Sequence, residues 1–169
     1  RMASTGLNSS VQASDSAVDR ADIVVGITSH NDVETIGLVI RAVRESLGRA
    51  FRENAARLVL ADAGSTDATL QAAREAADPS PLVELDYERS PAFGALPYHG
   101  KPGRAVALRA ILREAQRVHA SACAVVDAGI RTVRVEWVER LIAPVVTDGF
   151  DYVSPFYARH IHEGALTKG

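Results

Sequence analysis

The chain has 169 residues, 47% of them hydrophobic, and a formal net charge of −2. One domain with a sizeable core is the default at this length, and so balanced a charge gives no global field toward nucleic acid or an anionic membrane. The single cysteine, Cys123, excludes a disulfide framework or a zinc cluster. It lies in an apolar run and reads as a small buried residue. No apolar run approaches the length of a membrane span and no signal-peptide pattern is visible. A cytoplasmic, reducing setting is therefore the expectation.

Residues 1–20 are rich in serine and alanine, lack an apolar period, and read as a flexible tail or expression remnant. The remainder, 21–169, reads as one domain. A first strand is expected over Ile23 to Thr28. Asn31 or Asp32 can cap the helix that follows, whose stripe is Ile36, Val39, Ile40, Val43 and Leu47, with Gly48 as its stop. The second strand is Arg57 to Ala61. A short helix over Asp67 to Ala77 begins at a Ser65 or Thr66 cap and ends at Asp78-Pro79-Ser80-Pro81. Leu82 to Leu85 is the third strand. Residues 86–102 form a connection long enough to be functional, with Tyr87, Phe93, Tyr98 and His99 among its prolines and glycines. A helix from about Gly103 to His119 carries Val106, Leu108, Ile111, Leu112 and Ala115. The fourth strand is Ala122 to Val126, the next helix Val135 to Val146 with Trp137 and Leu141 inward, and the fifth strand Asp151 to Ser154. This alternation predicts an α/β fold: three layers, Rossmann-like, on a mostly parallel sheet with right-handed crossovers.

In such sheets ligands bind at the carboxyl ends of the strands, and four segments there or nearby carry polar chemistry. Thr28-Ser29-His30-Asn31-Asp32 follows the first strand; it can face a nucleotide base or simply cap a helix. Asp62-Ala63-Gly64-Ser65-Thr66-Asp67 follows the second, where a turn and cap compete with a base or ribose contact. Tyr98-His99-Gly100-Lys101-Pro102-Gly103-Arg104 is a basic loop before a helix, suited to phosphate or to plain solvation. It is neither a Walker loop nor a dinucleotide fingerprint. Asp127-Ala128-Gly129 has the outline of an Asp-x-Asp metal motif with glycine in its third place. Near the end, Arg159 can bind an anion in bidentate fashion. His160, His162 and Glu163 could ligate a metal, although their spacing matches no established signature.

In this order, the segments resemble family-2-type glycosyltransferases of the GT-A fold, of the mannosylglycerate and glucosyl-3-phosphoglycerate synthase type. The resemblance covers about Asp22 to Thr167. It implies a nucleotide-diphospho-sugar donor, UDP- or GDP-linked, held by Thr28, Ser29, His30, Asp32, Asp62, Ala63, Gly64, Lys101 and Asp127. Arg104 would join Lys101 at the diphosphate. Arg159 and Thr167 would approach a small acidic or sugar acceptor such as glycerate or phosphoglycerate. Mg or Mn would be held by Asp127, with His160 as a second candidate. Thr28 stands where the family has proline and Asp32 where it has glutamate. Gly129 replaces a metal-ligating acid, and one residue is inserted in the Gly-Lys-Gly loop. The expectation is a hexosyltransferase, truncated at its carboxyl end relative to such enzymes, with no general base named. It has no nucleic-acid partner and no integral membrane segment, and a homodimer is compatible with it. Two alternatives stand beside it. One is a non-catalytic nucleotide-sugar-binding module, motivated by Gly129. The other is a sugar-phosphate nucleotidyltransferase, although its glycine-rich loop would normally follow the first strand.

Overall fold

The computed structural model describes residues 19–88 and 103–155. Strands and helices alternate along them: β1 (Ile23–Ser29), α1 (Ile36–Ala50), β2 (Ala56–Asp62), α2 (Thr69–Ala77), β3 (Leu82–Glu84), α3 (Arg104–Arg117), β4 (Ala122–Asp127) and α4 (Val135–Thr147). The sheet order is β3-β2-β1-β4, and every pairing is parallel. This is the expected α/β, Rossmann-like arrangement.

Central β1 has all seven residues buried. Both faces are covered, so its sequence runs apolar without alternation. Ile23, Val25 and Ile27 join Leu58, Leu60 and the inner residues of α1, α2 and α4 in one core. Val24, Val59 and Ala61 point the other way and pack with Ala107, Ile111 and Ala115 of α3. Three layers result: α1, α2 and α4, then the sheet, then α3. Helix α3 approaches β1 so closely that a Cβ on Gly26 would lie 2.3 Å from Ile111 Cγ2. The missing side chain at Gly26 therefore sets how deeply α3 sits. At the amino end of β2, Arg57 pairs with both Asp19 and Glu114, tying the sheet to α3.

Several expectations are corrected. Gly48 does not stop α1, which runs on to Ala50; the buried Phe51 donates its N–H to the Leu47 carbonyl at 3.0 Å and holds the last turn. Helix α4 buries Val138 and Ile142, one position on from Trp137 and Leu141, which are only partly covered. Helix α3 buries alanines and one isoleucine while Leu108 and Leu112 stay exposed, because the close approach at Gly26 favours small residues at the interface. Cys123 is exposed. Among the described residues strand β4 lies at the sheet edge, and it alternates buried and exposed residues, so its apolar run was no guide to two-sided burial. Partial burial of the thiol still pushes its pKa up to about 11, which keeps it protonated at neutral pH. Asp151 to Ser154 is not a strand and pairs with nothing in the sheet. No helix among the described residues is long and apolar enough to cross a membrane.

Candidate functional site

The parallel register brings three polar strand ends to one edge of the sheet. Ser29 is the neighbour of Asp62 across β1 and β2, and Thr28 is the neighbour of Asp127 across β1 and β4. The two acids therefore stand on either side of β1, two strand spacings or about 10 Å apart. Side chains alternate along a strand. Leu60 belongs to the core under α1 and α2, so Asp62 points toward that side. Val126 belongs to the same core, so Asp127, one residue later, points toward α3.

Asp62 is 5% exposed, and its own turn surrounds it. Oδ1 accepts the Ser29 hydroxyl at 2.8 Å and the Ser65 hydroxyl at 2.5 Å. Oδ2 accepts the Gly64 N–H at 2.9 Å and the Ser65 N–H at 2.8 Å. Gly64 permits this wrap because its φ of 90° suits glycine. Burial is the largest single influence on the Asp62 carboxyl and opposes its charge. The hydrogen bonds from Ser65, Ser29 and Gly64 together outweigh it and hold the pKa below the ordinary value.

The loops after β1 and β2 are cross-stitched. Asn31, at a positive φ of 54°, donates its N–H to the Ser65 hydroxyl and accepts the Thr66 N–H on its side-chain oxygen at 2.8 Å. The Asp32 N–H donates to Thr69 Oγ1 at 2.8 Å, and Asp32 Oδ2 accepts the His30 N–H at 2.9 Å. The Ala63 N–H donates to the Ser29 carbonyl at 2.8 Å. The expected cap of α1 by Asn31 or Asp32 does not form; the N-cap position is Thr35, without a side-chain cap. At α2 neither Ser65 nor Thr66 caps. Asp67 accepts the Thr69 N–H and hydroxyl instead, which holds its carboxyl below the usual range. His30 Nδ1 is buried and has no hydrogen-bond partner, a condition that asks for a ligand or water.

The end of β4 is built differently. Asp127 Oδ1 accepts the Gly129 N–H at 2.8 Å. Oδ2 faces the Arg104 guanidinium at 3.7 Å. Arg104 is the first residue of α3, and Gly103 before it, at φ 73°, packs beside Ala63. Helix α3 thus enters over the Asp62 turn and directs a cation to Asp127. Among the described residues there is no group of three His, Cys, Asp or Glu that could hold a metal.

Of the residues expected at the site, Thr28, Ser29, His30, Asp32, Asp62, Ala63, Gly64 and Asp127 gather along this edge. Lys101, Arg159, His160 and Thr167 lie outside the described residues. Sequence reasoning missed Thr69, whose Oγ1 accepts the Asp32 N–H, and placed Tyr87 in a functional connection without its contact, a hydroxyl donated to the Asp62 carbonyl at 2.9 Å; both act through contacts distant in sequence. A cleft of about 660 Å³, lined by Arg41, Arg44, Phe51, Asn54, Leu58 and Pro81 among others, opens near the amino end of β2, away from these carboxylates.

The parallel sheet between helix layers is an α/β, Rossmann-like fold, and it is the fold of the glycosyltransferase structures that the chain matches. No protein-family model matches the sequence, and no curated protein matches it. Among solved structures it is similar to the crystal structure of a mycobacterial protein, at 24% identity and a TM-score of 0.53 over 75% of this chain. It is also similar to glucosyl-3-phosphoglycerate synthase from Mycobacterium tuberculosis in complex with Mn2+, UDP-glucose and phosphoglyceric acid, at 23% identity and a TM-score of 0.51 over 75% of this chain. The same enzyme with Mg2+ and UDP matches equally, at 23% and 0.51 over 75%. The chain covers 37% of the first structure, 40% of the second and 40% of the third.

Proposed function

We propose that the chain is the donor-binding half of a glycosyltransferase that moves a hexose from a UDP- or GDP-linked diphospho-sugar to a small acidic acceptor such as glycerate or phosphoglycerate. The observation that carries this reading is the register of Ser29 with Asp62 and of Thr28 with Asp127. It assembles one polar rim at the carboxyl edge of a parallel sheet, where nucleotides bind. The similar synthase, solved with UDP-glucose and phosphoglyceric acid, supports the same substrate class.

In this reading the base enters between the two cross-stitched loops. Asp62 positions the turn that receives it, since all its acceptor positions already have donors. Thr28, His30 and Asp32 face base and ribose, and the unpaired His30 Nδ1 is a ready contact. Lys101 and Arg104 stabilise the leaving diphosphate. Arg159 and Thr167 receive the acceptor. Transfer follows from neutralising the leaving group and orienting the acceptor hydroxyl.

A divalent metal fits this site as a one-carboxylate site. Mg2+ commonly uses one or two carboxylates, substrate phosphates and water. Asp127 would be the protein ligand, with His160 as a further candidate, and the metal would supply charge against the diphosphate. The second reading, a nucleotide-sugar-binding module without transfer, rests on Gly129.

Thermal-shift titration with UDP, GDP, UDP-glucose and GDP-mannose, each with and without Mg2+ or Mn2+, tests the proposal. Binding to the native state raises the melting temperature. A shift with one nucleotide and its sugar conjugate is expected. A shift without release of nucleoside diphosphate in the presence of glycerate or phosphoglycerate would favour the binding module. No shift on either this chain or a longer form of the polypeptide would refute both.

A further inference from the structure

We infer that Arg104 supplies the positive charge against the donor diphosphate in this chain, so that nucleotide binding depends little on a divalent cation. The inference rests on the proposed function and deepens it. An Asp-x-Asp strand end carries two negative charges, and an approaching diphosphate needs a dication between them. Here the third position is Gly129, whose backbone N–H donates to Asp127 Oδ1 at 2.8 Å. One carboxylate remains, and the Arg104 guanidinium stands 3.7 Å from its Oδ2. The Arg104 cation offsets the Asp127 carboxylate, so a diphosphate meets less repulsion here than at a strand end with two acids.

The geometry also lets Arg104 exchange partners. Its side chain is 63% exposed while that of Asp127 is 16% exposed. The pair is too long for a hydrogen bond, and ion pairs this open contribute little by themselves. A diphosphate offers the guanidinium two oxygens in bidentate geometry, which it prefers to a single distant carboxylate oxygen. Gly103 and the seat of Ile111 on Gly26 fix where α3 begins, so Arg104 is delivered to this place by the fold.

Calorimetric titration of UDP, GDP and inorganic pyrophosphate in EDTA and then in Mg2+ tests the inference on four forms: native, Arg104→Gln, Arg104→Lys and Gly129→Asp. Circular dichroism melts confirm folding of each. The native chain should bind its nucleoside diphosphate in EDTA, with Mg2+ improving affinity less than threefold. Arg104→Gln should lose roughly 10- to 100-fold in EDTA, the range expected for hydrogen bonds to charged groups. Arg104→Lys should recover part of that loss. Gly129→Asp should weaken binding in EDTA and restore it with Mg2+. Native binding that requires Mg2+, or an Arg104→Gln variant that binds normally in EDTA, would overturn the inference while leaving the proposed function standing. Absence of binding in both buffers, by the native chain and by a longer form of the polypeptide, would remove the proposed function and this inference with it.

Discussion

The two strand-end aspartates began as equivalent candidates and end as opposites. Asp62 is nearly inaccessible and accepts from Ser29, Gly64 and Ser65 on both oxygens. Asp127 is more open: its Oδ1 accepts the Gly129 N–H of its own turn and its Oδ2 faces the Arg104 guanidinium at 3.7 Å. The difference follows from strand alternation. Asp62 points toward the side where the loops to α1 and α2 meet, and those loops supply donors. Asp127 points toward α3, whose first residue, Arg104, directs its guanidinium to it. An acid at a strand end is thus a structural keystone or a ligand-facing charge according to which face it takes.

The largest effect expected is at Asp62. Asp62→Asn replaces acceptor lone pairs with an NH2 group that confronts N–H donors, at a cost of about 3 kcal/mol. Melting should fall by roughly 6–12 °C. A calorimetric loss under 1 kcal/mol would break the comparison, because Asp62 would then be dispensable to the turn. Next comes Gly26→Ala, which drives a methyl into Ile111 at about 1–3 kcal/mol. It should also displace the start of α3. The same variant should weaken nucleotide binding in EDTA; unchanged binding would show that Arg104 is placed without this contact.

The pH response is smaller and has a definite sign. Asp62 and Asp67 both have carboxyls held below the ordinary value of 3.8. Their stabilisation is therefore complete above that value and is lost as pH falls through their depressed values. Urea midpoints should decline below about pH 4, and Asp62→Asn should flatten that decline. A midpoint that rises on acidification would contradict it. Asp127→Asn should change least in stability, within about 1 kcal/mol, since Asn still accepts the Gly129 N–H. Its effect should instead appear as loss of whatever Mg2+ response the native chain shows. A large fall in melting temperature would make the two acids alike after all.

Much of the fold is legible in the sequence. The apolar run of Ile23 to Ile27 announces a two-sided central strand, and Ile36, Val39, Ile40 and Val43 announce a helix with one inward stripe. Both are local periodicities, and burial on the expected faces follows from them. Legibility failed where a neighbour decides. Cys123 sits in a run as apolar as β1 yet is exposed, because only the Ala122, Ala124 and Val126 face of β4 is covered among the described residues. Leu108 and Leu112 point outward because Gly26 admits only a close, narrow helix face.

The site divides in the same way. Sequence alone determined that polar turns follow β1, β2 and β4, since turn chemistry and apolar strand cores are written in consecutive residues. It also determined that the third acid of Asp127-Ala128-Gly129 is missing. Tertiary structure decided what those residues do. Asn31 binds Ser65 and Thr66 rather than capping a helix, Tyr87 closes over the Asp62 carbonyl, and Arg104 meets Asp127. Each of these contacts joins residues more than twenty positions apart, and only sheet register and helix depth bring such partners together.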